Sequence, residues 1–248
     1  MSENVPTNIL EVLNKWGQLL SFVLFGVAML IILVHFVRLM SIREQKSKYD
    51  FINKNEINAL WYGSLLIIIG GVIISNALVD EITVVVFLVR AFVSIMLGSI
   101  LGVIMQNILR FYYPFYVEKR LKKLRFSPRI SPKTGKQMKL LSEEEEDVYL
   151  DEGMQAEEDA FSIDYDVWID EETGFTQIEK YNGRLHALRC SNCNYQTLKV
   201  VKEEVTKQST LTEEGELIKQ FQCGYCGHKE RKTFPIAKGK EMDSAASA

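Results

Sequence analysis

Four residues of this chain could do chemistry together: Cys190-Ser-Asn-Cys193 and Cys223-Gly-Tyr-Cys226. Thiolates are soft donors, and two C-x-x-C pairs 29 residues apart supply the four ligands that tetrahedral zinc takes. Each pair fits a tight turn, and Gly227 follows the second where such a knuckle often requires glycine. Residues 195–205 and 216–222 read as strands joined by a polar stretch around Thr212 and Gly215, with Phe221, Phe234 and Ile236 expected to cover the site. The pattern predicts a zinc ribbon over residues 182–236, stabilised by its metal for want of a large core. Two disulfides are the competing reading, and a reducing compartment disfavours them. A redox C-x-x-C needs one pair on a thioredoxin-like frame, which the pattern lacks. His186 and His228 flank the pairs, but four sulfurs already close the tetrahedron. The expected zinc is therefore structural rather than catalytic, since catalytic sites keep an open position.

A second pair of knuckles precedes the first without its cysteines. Ser131-Pro-Lys-Thr134-Gly135 and Asp170-Glu-Glu-Thr173-Gly174 have the C-x-x-C-G shape with every ligand replaced. Chance turns rich in proline and glycine would look similar. A degenerate, metal-free ribbon over 128–181 is the sharper expectation. Between its knuckles an acidic helix is predicted, with Ser142 at its cap and Glu145 at the capping-box position. Residues 161–169 then alternate as a strand does, followed by a return strand over 175–181.

The elements ahead of these modules are of another kind. Apolar runs at about 16–39, 60–79 and 82–113 are each long enough to cross a hydrocarbon core about 30 Å thick. The fold class expected is thus three transmembrane helices over residues 1–113, a basic juxtamembrane segment at 114–127, a small β-rich domain of tandem ribbons and a disordered tail at 237–248. A cleaved signal peptide would need a basic start and a small-residue cleavage site, whereas the first run begins after Glu3 and Glu11 and ends in His35-Phe-Val-Arg38. A retained helix is expected. Arg38, Arg43, Lys46, Lys48 and Lys54 lie between the first two runs, and Lys119, Arg120, Lys122, Lys123 and Arg125 follow the third. Only acids, Asp80 and Glu81, lie between the second and third. The positive-inside rule then places the N-terminus outside and the tail in the cytoplasm.

On the third run Ser94, Gly98 and Gly102 form a small-xxx-small stripe, expected to pack against helices of this chain or of another subunit. Arg90, His35 and Arg110 lie near helix ends, where anchoring accounts for them, and no chain of ionisable groups crosses the middle.

Charge is segregated beyond the helices. Residues 114–141 hold nine Lys/Arg against Glu118, and residues 142–172 hold fifteen acids with no base. The basic block is expected to meet anionic lipid headgroups.

Residues 125–234 resemble the C-terminal tail of bacterial TPM-domain membrane proteins. The resemblance rests on Glu144-Glu-Glu-Asp147-Val-Tyr149-Leu150-Asp-Glu152-Gly153 and on Asp164-Tyr-Asp-Val-Trp168. It implies tandem ribbons and a bacterial inner-membrane setting. The family's TPM domain is absent and Ser131, Thr134, Asp170 and Thr173 stand at the first ribbon's ligand positions, so it implies no activity.

The expected function is a non-enzymatic accessory or adaptor subunit of an inner-membrane complex. Its partners would be other membrane subunits and a cytoplasmic protein, with a homo-oligomer also open. A membrane-tethered nucleic-acid-binding protein is the alternative, prompted by Lys229, Arg231 and Lys232. Against it, residues 173–248 carry twelve bases against nine acids, too little basic excess for a phosphate footprint. No Ser–His–acid set, P-loop or H-E-x-x-H points to an enzyme.

Overall fold

The computed structural model describes residues 7–78, 83–183 and 185–238. Asp80, Glu81 and Ile82 of the sequence reading lie outside them, as do Glu3 and most of the expected disordered tail. The chain divides into two compact units, Met1–Ser127 and Pro128–Ala248.

The first unit is helical: α1 (Thr7–Ser41), α2 (Gln45–Asn76), α3 (Val84–Asn107) and α4 (Tyr113–Arg125). Among the described residues, three helices are long and apolar enough to cross a membrane. α1 and α2 are antiparallel, because a Cβ at Gly17 would meet Ala77, one at Gly70 would meet Phe25, and one at Gly63 would meet Ile32. Such glycines let two backbones approach where lipid gives no hydrophobic drive.

The basic stretch expected as the first loop is mostly helix. Only Ile42–Glu44 lie outside α1 and α2, and Lys46, Lys48 and Lys54 sit on α2. The reason is packing: α2 starts early because Ile52 packs with Leu39 of α1 and with Val117 and Leu121 of α4. α3 and α4 are joined by a π-helical turn at Ile108–Tyr112. Pro114 follows it, and its ring and missing N–H exclude a regular turn against the Arg110 carbonyl.

Among the described residues, the second unit holds two three-stranded antiparallel sheets. β1 (Lys139–Leu140), β2 (Ile163–Ile169) and β3 (Thr176–Asn182) form one, in that order. β4 (Leu198–Lys207), β5 (Gly215–Cys223) and β6 (Lys229–Ile236) form the other, also in chain order. β6, read from sequence as a basic cluster followed by the covering residues Phe234 and Ile236, is a full strand paired along β5.

The expected acidic helix is two. α5 (Glu143–Glu146) has the predicted capping box between Ser142 and Glu145, and a 3₁₀ turn follows it. Leu150 then adopts an extended conformation and packs with Ile163, Tyr165 and Val167. Asp151 caps the next helix, α6 (Glu152–Asp159), accepting from the Met154 amide at 2.7 Å. Burying Leu150 ends the first helix, and a second cap begins the other.

Candidate metal centre and its cysteine-free counterpart

Four turns in the second unit share one backbone frame. In each, the first residue's amide donates to the carbonyl five residues on, and the fifth residue's amide donates back to the first. The pairs are Ser131 N to Lys136 O at 2.8 Å with Gly135 N to Ser131 O at 2.9 Å, and Asp170 N to Phe175 O with Gly174 N to Asp170 O, both at 2.8 Å. The other two are Cys190 N to Tyr195 O at 2.9 Å with Asn194 N to Cys190 O at 3.0 Å, and Cys223 N to His228 O at 2.9 Å with Gly227 N to Cys223 O at 3.2 Å. The fifth residue is left-handed in all four, with φ of 71° at Gly135, 67° at Gly174, 65° at Asn194 and 71° at Gly227. Glycine and asparagine are the residues that tolerate this region, which explains their place directly after each four-residue knuckle.

The cysteine pair brings its four sulfurs within 4.8 Å of one another. Cys190 and Cys226 are 3.7 Å apart, as are Cys193 and Cys223, and all four are free thiols. Disulfide sulfurs would be about 2.05 Å apart. Four metal–sulfur bonds of about 2.3 Å at tetrahedral angles put sulfurs about 3.8 Å apart, so the donor set fits a single ion. The cluster could hold a metal ion. Thr197, fully buried, places its hydroxyl 3.0 Å from Cys223 Sγ, and the Cys226 amide donates to the same sulfur at 3.4 Å. Burial opposes ionisation of Cys223, but the hydroxyl and the amides outweigh it and bring the thiol down to about 6. Asn192 Nδ2 lies 3.6 Å from Cys226 Sγ.

Leu198 and Phe221 pack with the cysteines. Phe234 and Ile236 do not cover them as expected. They pair with Leu217 and Gly215, six and eight residues along β5 from Cys223, or about 20–26 Å at about 3.3 Å per residue. The register of β5 with β6, invisible in composition, carries them away. His186 is exposed, and His228 faces Ser191 at 3.3 Å and Glu230 at 3.6 Å.

At the other knuckle pair the four predicted positions also converge, on a carboxylate. Asp170 Oδ2 accepts from Ser131 Oγ at 2.6 Å, Thr134 Oγ1 at 2.9 Å and Thr173 Oγ1 at 2.9 Å, while Oδ1 accepts from the Glu172 amide at 3.1 Å. The Ser131 hydroxyl leads these bonds in holding Asp170 well below the usual carboxylate range. One oxygen thus cross-links both turns with hydrogen bonds, where the cysteine pair has room for a cation.

Sequence reasoning missed the groups that hold this part of the unit together. Arg129 and Glu179 form a buried bidentate ion pair at 2.8 and 2.7 Å, and Arg129 lies 4.8 Å from the Trp168 ring centroid. Arg129 was one of the nine bases expected to meet lipid headgroups. It is buried and paired, and Lys136 and Lys139 are engaged with Glu172, Glu145 and Glu171. Glu157 is 1% exposed and accepts from Tyr165, from Lys180 at 2.8 Å and from the Gln196 amide. That last bond ties α6 to the Cys190 knuckle, and Tyr195 reinforces it by donating to Asp151 at 3.1 Å over Gly153, where a Cβ would overlap its ring.

In the helical unit Ser94 accepts from Asn76 of α2 at 2.6 Å, and a Cβ on Gly98 would fall 2.5 Å from Val72. Both therefore pack within the chain. At Gly102 nothing described lies within 4 Å. Arg90 Nε donates to the Ser75 carbonyl at the end of α2 at 3.1 Å. Arg110 is exposed beside Phe111. His35 is buried, stacked on Phe51 and 3.8 Å from Glu56, which also accepts from Tyr113 and Arg120 at 2.6 Å each.

Comparison with family models, with curated proteins and with solved structures finds no match for this chain.

Proposed function

We propose that this protein is a non-enzymatic adaptor subunit of a membrane protein complex, presenting two ribbon modules to the cytoplasm with zinc held by Cys190, Cys193, Cys223 and Cys226. The observation that carries the reading is the pair of knuckle sets with one backbone frame and two different centres. A module that keeps its turns and strands while hydroxyls and a carboxylate replace its thiolates has kept a shape rather than a reactive site. Shape without reactivity is what a docking surface uses. Zinc is the ion favoured by four thiolates in a closed tetrahedron.

A cytoplasmic tail is supported by Lys46, Lys48 and Lys54 on α2 and by Lys119, Lys122 and Lys123 on α4, which flank the Leu39, Ile52, Val117 and Leu121 cluster at one end of the spans. Lys119, Lys122 and Lys123 also suit anionic headgroups. Resemblance to the TPM-protein tail suggests a bacterial inner membrane. Holding the tail at the membrane raises its effective concentration for membrane-bound partners.

The test is affinity purification of the full chain in mild detergent. Cys190→Ser with Cys193→Ser should remove soluble partners, and Gly102→Leu, on the open part of the helix stripe, should remove membrane partners, both without loss of membrane insertion. Unchanged co-purification in both variants would refute the adaptor. Nucleic-acid binding with a steep salt dependence would replace it by the alternative, in which Lys229 and Arg231 of β6 contact phosphates.

A further inference from the structure

A crevice between α1 and α2 plays no part in the adaptor reading. It has a volume of 390 Å³ and lies toward the basic ends of the two helices. Leu30, Ile31 and Val34 form its apolar wall, and Arg38 stands two turns beyond Ile31 on the same helix. α2 runs the other way and contributes Ala59 and then Asn55 toward the Arg38 end. From Leu30 to Arg38 the wall is about 12 Å long at 1.5 Å per residue. The crevice is therefore apolar at its Leu30 end, while His35, Asn58 and Asn55 make it polar toward the cationic end at Arg38.

The charge at that end is available. Arg38 is exposed, and among the described residues it has no ion pair or hydrogen bond through its guanidinium. The nearby acid, Glu56, is buried and already held by Arg120 and Tyr113. His35 lines the crevice and is fixed by stacking on Phe51, with ring centroids 5.1 Å apart. Asn55 donates to the Phe51 carbonyl at 3.0 Å and, as a primary amide, has a second N–H to offer.

We propose that this crevice binds one anionic phospholipid, its acyl chain along Leu30, Ile31 and Val34 and its phosphate on Arg38 and Asn55. A guanidinium matches two phosphate oxygens at once, and a helix-end arginine sits at headgroup depth. The occupant is a lipid rather than a free anion because the apolar wall needs a chain to cover it. The inference rests on the membrane setting and not on the adaptor reading.

Native mass spectrometry of the full chain, released from detergent and titrated separately with phosphatidylglycerol and phosphatidylcholine, tests it. One phosphatidylglycerol should be retained about five-fold better than phosphatidylcholine, the contribution of about one basic residue at a headgroup. Arg38→Gln should abolish that preference and Arg38→Lys should keep most of it. Lys199→Gln with Lys202→Gln on β4, outside the spans, should leave it intact. Ala59→Trp should fill the crevice and displace either lipid. Equal retention of the two lipids by the parent, or an unchanged preference in Arg38→Gln, overturns the proposal. So does a dimer that Ala59→Trp dissolves with no lipid adduct in the parent, since the crevice would then take a helix of a second copy.

Discussion

The two knuckle pairs are built on one backbone frame and held closed by different means. Around Cys190 and Cys223 the buried apolar cluster is small, consisting of the two cysteines with Leu198 and Phe221, and β4 is exposed over nearly its whole length. Around Ser131 and Asp170 the sheet has Leu150, Ile163, Tyr165 and Val167 beneath it, an ion pair between Arg129 and Glu179, and Trp168 and Tyr181 buried beside that pair. The half without thiolates has the larger core, and the half with the smaller core has four thiolates. A small domain needs one or the other, because too little surface is buried to offset chain entropy. The excursion that adds Leu150 to this core, with Leu141 and Met154 against it, spans residues 141–162 and sits where the cysteine module has only the hairpin joining β4 and β5.

That contrast can be broken most forcefully at the cysteines. A structural zinc supplies about 10–16 kcal/mol in small modules, as much as the whole stability of a typical domain. Chelation, or Cys190→Ser with Cys193→Ser, should therefore unfold β4–β6 while β2 and β3 stay folded. Hydrogen exchange on the full chain reads this segment by segment, and metal analysis should return one equivalent per chain. The converse sharpens the comparison. Ser131→Cys, Thr134→Cys, Asp170→Cys and Thr173→Cys together should raise the metal content to two equivalents, because the turns already converge. A count that stays at one means that the shared frame does not extend to ligand geometry.

The next effect belongs to the module with the larger core. Arg129→Ala removes the cationic partner of the buried Glu179, leaving it the hydrogen bonds from Tyr181 and Gln177, and breaking such a pair costs about 3–5 kcal/mol. Exchange protection should fall across β2 and β3, with metal content unchanged. Loss of metal instead would show that the halves do not have separate supports.

A smaller change is expected at Thr197→Val, which removes the hydroxyl beside Cys223 but keeps the side-chain volume. Groups of this kind are worth about 10–100-fold in metal affinity, and a chelator competition should show a loss near the lower figure. The fold should not change.

The smallest effect is in pH dependence, where two acids of the cysteine-free half have opposite signs. Burial, with help from Glu158 and Asp166, pushes Glu146 up to about 7 despite the Val167 amide. The native state then holds a proton that the unfolded chain has lost, so this group's contribution falls as pH rises from about 4.5 to about 7. Asp170 is depressed, so its contribution is complete above the ordinary aspartate value near 3.9 and is lost only in strong acid. Between pH 5 and 8 thermal melts of the first sheet should decline slightly, and Glu146→Gln should flatten them. A rise over that range would mean that the carboxylate form of Glu146 is the favoured one.

Much of this was legible in the residues themselves. The C-x-x-C spacing brought four sulfurs together, the S-P-K-T-G and D-E-E-T-G turns brought four hydroxyl and carboxylate positions together, and apolar runs became three long helices. Each is a local rule: a tight turn needs a left-handed residue at one place, and a membrane-crossing helix needs length and few charges. What the tertiary structure decided depends on groups far apart in the chain. Glu179 reaches back to Arg129, the Gln196 amide to Glu157, and Glu56 gathers His35, Tyr113 and Arg120, none of them marked by spacing. The same holds for Phe234, which strand register moved away from the sulfurs, and for Gly98 and Gly102, one packed on α2 and one left open. Turns and spans are set over a few residues by backbone sterics and solvation. Partners across tens of residues are chosen only when strands pair and helices pack, because only then does a buried charge have to find its counterpart.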